Sequence, residues 1–185
     1  MTNPPNDLPD DRFTAGPHDA IDMLIADHKT VKKLFGQFQS LSGDTGADSE
    51  KALLVKQICD ALDVHVRIEE ELFYPAVRQA IGDESLMDIA LIEQAGAKAL
   101  VTQLQAMHAG DKLFDAKVAV LAEQVIHHAE EEEKEMFPAA RKARVDTMAL
   151  GAEMAIRQAQ LIAAQQAAVP PQKRQGRDGA SMAAR

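Results

Sequence analysis

Two stretches decide how this chain folds: HVRIEEELFYPAVR, from His65 to Arg78, and HAEEEEKEMFPAAR, from His128 to Arg141. Set side by side without a gap, they pair His65 with His128, Glu69 with Glu132 and Glu70 with Glu133. Pro75, Ala76 and Arg78 find Pro138, Ala139 and Arg141, and Tyr74 is answered by Phe137. A helix that only has to pack can use many residue types. It has no reason to repeat a His and a Glu four residues apart, followed by an aromatic–Pro step, so the repeat points to a shared chemical task.

Helical periodicity surrounds both stretches. Apolar residues recur at spacings of three and four over about 19–41 (Ile21, Leu24, Ile25, Val31, Phe35, Phe38) and over about 50–80 (Leu54, Ile58, Leu62, Ile68, Leu72, Ala76). The same spacing runs through about 84–107 (Met87, Ala90, Ala97, Val101, Leu104) and about 115–143 (Val118, Leu121, Val125, Met136, Ala139). The links SGDTGADS, IGDE and HAGDKLFD carry turn and capping residues. Links this short make neighbouring helices antiparallel, which predicts an all-α, up-down-up-down four-helix bundle over residues 18–143. Pro75 and Pro138 fall inside helices two and four, where each removes a backbone bond and is expected to kink its helix. Residues 144–167 predict an additional C-terminal helix, lying across the bundle or extending from it. The Pro- and Asp-rich residues 1–17 and the basic tail 168–185 read as disordered.

Composition narrows the partners. The 185 residues carry a formal net charge of −9, against the basic face that nucleic acid or an acidic membrane surface would need. No apolar run approaches the roughly 20 residues that span a bilayer. The N-terminus has neither the basic start nor the apolar stretch of a secretory signal, so a cytoplasmic protein is expected. The single cysteine, Cys59, excludes an intrachain disulfide and sits on an apolar stripe, as a buried inert thiol would.

Each of the four helices places a polar residue in mid-stripe: His28, then His65 with Glu69, then Gln94, then His128 with Glu132. Residues four apart share one helix face about 6 Å from each other, so each His-x-x-x-Glu aims two ligand groups at one place. A buried carboxylate is expensive unless it is paired or binds a metal. Carboxylates can bridge two cations and imidazoles can cap each. A ligand set of nitrogen and oxygen without thiolate favours iron, with manganese or zinc behind it. His18, His108 and His127 read as surface or helix-end residues, the remaining glutamates of both stretches as solvated, and Tyr74 and Phe137 as core packing.

Together with LIADHKTVKKLF and LIEQAGAKALV, the two stretches resemble the bacterial hemerythrin-like proteins of the HHE cation-binding type over roughly residues 18–143. The resemblance implies a non-haem diiron centre inside a four-helix bundle. His28 and His65 would cap one metal, Glu69 and Glu132 would bridge, and His128 would bind the second. The chain departs from the family at Gln94, which stands where a histidine is usual. A glutamine carbonyl is a weaker ligand than an imidazole. That leaves the second position weaker, water-filled, completed by Glu93 after a small rotation, or empty, with two irons per chain expected and one if Gln94 breaks the site.

The resemblance implies a binding protein for O2 or a related small ligand such as NO, used in storage, carriage or sensing with an unidentified redox or signalling partner. The alternatives are a diiron enzyme acting on NO or peroxide, or a protein of iron storage and metal homeostasis. Ferritin-type oxidases use Glu-x-x-His where this chain has His-x-x-x-Glu, which weakens the storage alternative.

Overall fold

The first helix begins where Asp19 offers Oδ1 to the free backbone N–H groups of Ile21 and Asp22, at 2.9 and 3.3 Å. It continues as α1 (Ala20–Ser40). α2 (Asp48–Ile68) passes through one π-helical turn (Glu69–Phe73) into α3 (Tyr74–Ile81), which stops at Gly82 with φ 70°, a left-handed cap that glycine adopts without penalty. α4 (Glu84–Gln105) follows. α5 (Phe114–Glu131) passes through a second π turn (Glu132–Met136) into α6 (Phe137–Lys142), and α7 (Thr147–Ala168) ends the fold. This computed structural model describes residues 19–168 except 42, 45 and 83, and no strand occurs among them. The disorder expected of residues 1–17 and of the tail 168–185 lies outside the described residues, except at Ala168, which is the last residue of α7.

The core shows how the rods run. Ile21 and Leu24 at the start of α1 share one apolar cluster with Val64 and Ile68 at the end of α2, Met87 and Ala90 at the start of α4, and Met136 and Ala140 beyond α5. Val31, Phe35 and Phe38, later in α1, share the other cluster with Val55, Ile58, Leu104, Phe114 and Val118. Sequential rods are therefore antiparallel. A buried polar layer of His28, His65, Glu69, Gln94, His128 and Glu132 separates the two clusters.

The interruption expected at the prolines takes the form of the two π turns. The N–H of Tyr74 reaches the carbonyl of Glu69, five residues back, and Phe137 does the same to Glu132. The wider turn lies directly before each proline, where a regular helix would set the ring against a carbonyl. It also corrects the stripe read from sequence. Continued α-periodicity points Leu72, Ala76 and Ala139 inward. Instead Phe73, Val77 and Ala140 are buried, beside Tyr74 and Phe137, because one inserted residue rotates everything after it.

α7 is part of the same core. Leu150, Met154 and Leu161 pack in the cluster of Ala20, Leu24, Val64 and Ile68, so the helix lies along α1 and α2. Asp19 ties its start to the bundle: Oδ2 accepts from the Thr147 hydroxyl at 2.5 Å, and Arg141 lies 3.3 Å from Oδ1. Burial pushes the Asp19 carboxyl up. The Thr147 hydroxyl, the two backbone N–H groups and Arg141 outweigh burial and hold it below its ordinary 3.8. A depressed carboxylate stabilises the fold above the unfolded-state value and loses that contribution as pH falls through the folded one. Asp19→Ala is expected to cost about 1–2 kcal/mol at pH 7 as a lost cap. The gap between variant and parent in urea midpoint should narrow as pH falls below 3.8.

Cys59 is buried in the second cluster. Burial, reinforced by the neighbouring Asp60 carboxylate, pushes its thiol up to about 11. At pH 8 that leaves roughly two orders of magnitude less thiolate than a free cysteine has. Labelling by a disulfide reagent should be correspondingly slow in the native protein and should accelerate fully once the chain is unfolded in denaturant.

Candidate metal centre

The polar layer gathers residues from every rod. His28 comes from α1, His65 from the last turn of α2, Gln94 from α4 and His128 from the last turn of α5. Glu69 and Glu132 are the first residues of the two π turns, so each carboxylate sits where its helix changes pitch. Both are sealed from water, at 0 and 1 % exposure.

One group of atoms converges beside α1. His28, His65, Glu69 and Glu132 each offer one ligand atom, all within 4.8 Å of one another. His65 Nε2 lies 3.2 Å from Glu69 Oε1, and His28 Nε2 lies 3.3 Å from Glu132 Oε2. Of these atoms, His28 Nε2, Glu69 Oε1 and Glu132 Oε2 have no hydrogen-bond partner. Orphaned buried polar atoms are rare and cost on the order of 1–3 kcal/mol each. Two imidazole nitrogens and two carboxylate oxygens at these separations fit the coordination shell of one cation, with ligands at about 2.0–2.2 Å. The residues present therefore suit the group that the resemblance implies.

The other oxygen of each carboxylate faces a second group. Tyr74 Oη donates to Glu132 Oε1 at 2.8 Å and lies 3.5 Å from Glu69 Oε2 and 3.2 Å from His128 Nε2. Gln94 Nε2 donates to Glu69 Oε2 at 2.6 Å and to Tyr74 Oη at 2.8 Å. Both carboxylates thus span two places, with Tyr74 at the second. The phenol oxygen occupies the neighbourhood that Gln94 leaves without an imidazole. Sequence reasoning took Tyr74 for core packing. Its one signal is the Tyr74–Phe137 mismatch in the repeat: Phe137 has no oxygen and stacks on His28 at a centroid distance of 5.9 Å.

The outward nitrogens of the imidazoles face carboxylates. His28 Nδ1 meets Glu133 Oε1 and His128 Nδ1 meets Glu93 Oε2, both at 2.9 Å. His65 Nδ1 faces Asp27 Oδ2 at 3.5 Å, and Gln158 of α7 holds that carboxylate by a bond of 3.2 Å. Such partners fix a ring's tautomer and orientation toward a metal. Glu133 was expected to be solvated and Glu93 was a candidate to complete the second position; both instead back an imidazole. His108 and His127 are exposed as expected, and His18 lies outside the described residues.

Electrostatics divides the buried pair. Burial, and then the negative Glu132, push the Glu69 carboxyl well above its ordinary range. Burial also opposes charge on Glu132, but His28 first, then His128 and His65, hold it below its usual value. Burial and the two carboxylates raise the Tyr74 phenol, so without a cation it stays a neutral donor. A cavity of about 210 Å³ reaches the layer, touching His28, His65, Gln94 and His128 between apolar walls that include Leu62 and Val125. Lys98 and Glu70, both on its lining, pair at 2.5 Å.

Residues 19–140 match the family described as the hemerythrin HHE cation binding domain. A DNA nickase of Nostoc sp. is 32% identical over 120 residues, 65% of this chain and 33% of that protein, so the chain spans about a third of the relative's length. A crystal structure of a hemerythrin HHE cation-binding domain-containing protein from Mycobacterium kansasii aligns with a TM-score of 0.68. The match covers 81% of this chain and 91% of that one at 24% identity, a likeness of fold.

Proposed function

The chain belongs to the hemerythrin HHE cation-binding domain family, and from that premise we propose that it holds two iron ions and presents them to a small ligand such as O2 or NO. The observation that carries the reading is the sharing of the two sealed carboxylates between two groups of ligand atoms. His28 and His65 would hold the first ion and His128 with Tyr74 the second, with Glu69 and Glu132 bridging. Nitrogen, carboxylate and phenol oxygen together favour iron over the softer choices. Iron would supply an open coordination position and exchangeable electrons. The cavity would admit the ligand, and its apolar walls would keep bulk water from it. Elemental analysis of protein purified without chelators tests the reading: two irons per chain are expected, and none would end it.

Tyr74 also favours a second reading, turnover of peroxide or NO. An anionic phenolate favours the oxidised metal, whereas reversible O2 carriage needs the reduced one. Without a cation at its oxygen, Tyr74 is also a protonated donor beside the carboxylates, within reach of a reacting group. Reversible spectral changes on cycling O2 would support carriage. Steady loss of peroxide or NO with a reductant present would support turnover.

The activity named for the Nostoc relative belongs to that protein. A chain of net charge −9 gives no electrostatic reason to carry it over. No helix among the described residues is long and apolar enough to cross a membrane, and we place the protein's work in the cytoplasm.

A further inference from the structure

A second cluster of ligand-type residues lies on the outer face of α4 and α5. Glu93, His127 and Glu131 each offer one atom, all within 4.8 Å of one another. His127 and Glu131 stand four apart on α5, with His127 Nε2 3.2 Å from Glu131 Oε1, while Glu93 reaches across from α4. His127 is exposed, and Glu93 and Glu131 are partly so. Among the described residues no lysine or arginine ion-pairs with either carboxylate. An imidazole and two carboxylates without a competing cation make an N/O site for a divalent metal that keeps water on its open positions.

The cluster does not stand alone. A small cavity of about 20 Å³ lies beneath it, lined by Glu93, Glu131, His128 and Glu132, with Ile89 and Met136 on its apolar side. Two of those residues belong to the surface cluster and two to the buried centre. Glu93 joins the levels directly, because its carboxylate holds His128 Nδ1 at 2.9 Å. Oxygen and nitrogen donors therefore continue from solvent to the Tyr74 side of the centre, across a gap about the size of one ion or water.

We propose that Glu93, His127 and Glu131 form a divalent-cation docking site that feeds the buried centre through this gap. The docking site stands on its own geometry; the feeding role rests on the buried layer binding metal. A metal captured at the surface sheds part of its water onto one imidazole and two carboxylates before it meets the sealed carboxylates. That replaces one large desolvation step with two smaller ones.

The test uses the full chain stripped of metal, titrated with Co2+ by calorimetry, and the variant His127→Ala/Glu131→Gln. Both substitutions are on side chains that reach solvent, and Glu93 keeps its hold on His128. The variant is expected to bind one Co2+ fewer than the parent, the missing ion being the weakest bound, and to fill its buried centre several-fold more slowly. Equal ion counts in the two proteins would overturn the docking site, and equal filling rates would overturn its feeding role. If the buried centre bound no metal, tight binding would be missing from both proteins while the difference of one weak ion persisted, so the two failures can be told apart.

Discussion

Glu69→Gln is expected to empty the centre and, at the same time, to make the metal-free protein harder to unfold. The carboxylate uses Oε1 toward His65 and Oε2 toward Gln94 and Tyr74, so it is one of the two groups able to bridge. A neutral amide cannot bridge two cations, and metal content should fall from two irons per chain to the limit of detection. Without metal the balance reverses. Glu69 is fully buried beside a second carboxylate, a costly arrangement without a cation. The amide is the same size. Its oxygen can still accept from Gln94, and its NH2 can donate toward acceptors that now have no partner. Relief of about 1–2 kcal/mol would raise the melting temperature of the metal-free variant by roughly 2–8 °C over the metal-free parent. Iron analysis and paired thermal melts at pH 7 check both halves. A variant that keeps two irons would refute the bridging assignment, and one that melts below the metal-free parent would refute the cost assigned to the buried carboxylate.

Tyr74→Phe separates the two positions. It removes one oxygen and little volume, leaving His28, His65 and both carboxylates in place. Iron content should drop from two per chain to one. Any visible phenolate-to-iron(III) charge-transfer band of the parent should vanish with it. Adding Gln94→His supplies an imidazole where Gln94 now points at Glu69 and Tyr74, and should restore the second iron without restoring the band. A single variant that still carries two irons and the band would show that the phenol is no ligand. In that case Tyr74 serves only as the hydrogen-bond donor to Glu132.

The bundle and the members of its polar layer were legible because burial and chemistry leave separate marks. Apolar spacing gave the helices, and a repeated His-x-x-x-Glu on an apolar stripe has no packing rationale. Two things were hidden. The π turns insert a residue without changing composition, so a continued 3.6-residue period misplaced Leu72, Ala76 and Ala139 while Phe73, Val77 and Ala140 went inside. Tyr74 lies past that slip, and its approach to His128 and Gln94 follows only once the inserted turn is counted. The carboxylates behind the imidazoles were hidden for another reason. Glu133 sits in a run of acidic residues that as a sequence reads as solvated, and only the packing of α1 against the fourth rod brings it to His28.

The seventh helix bears on how the gene can be cut. The match to the family ends at residue 140, yet the apolar cluster around Leu24, Val64 and Ile68 is completed by Leu150, Met154 and Leu161. A recombinant fragment trimmed to residue 140 would uncover that cluster and leave it open to aggregation. It would also lose Gln158, and with it the hold on Asp27 behind His65. The segment that matches the family is here shorter than the unit that folds, and expression boundaries should follow the second, extending at least through Ala168.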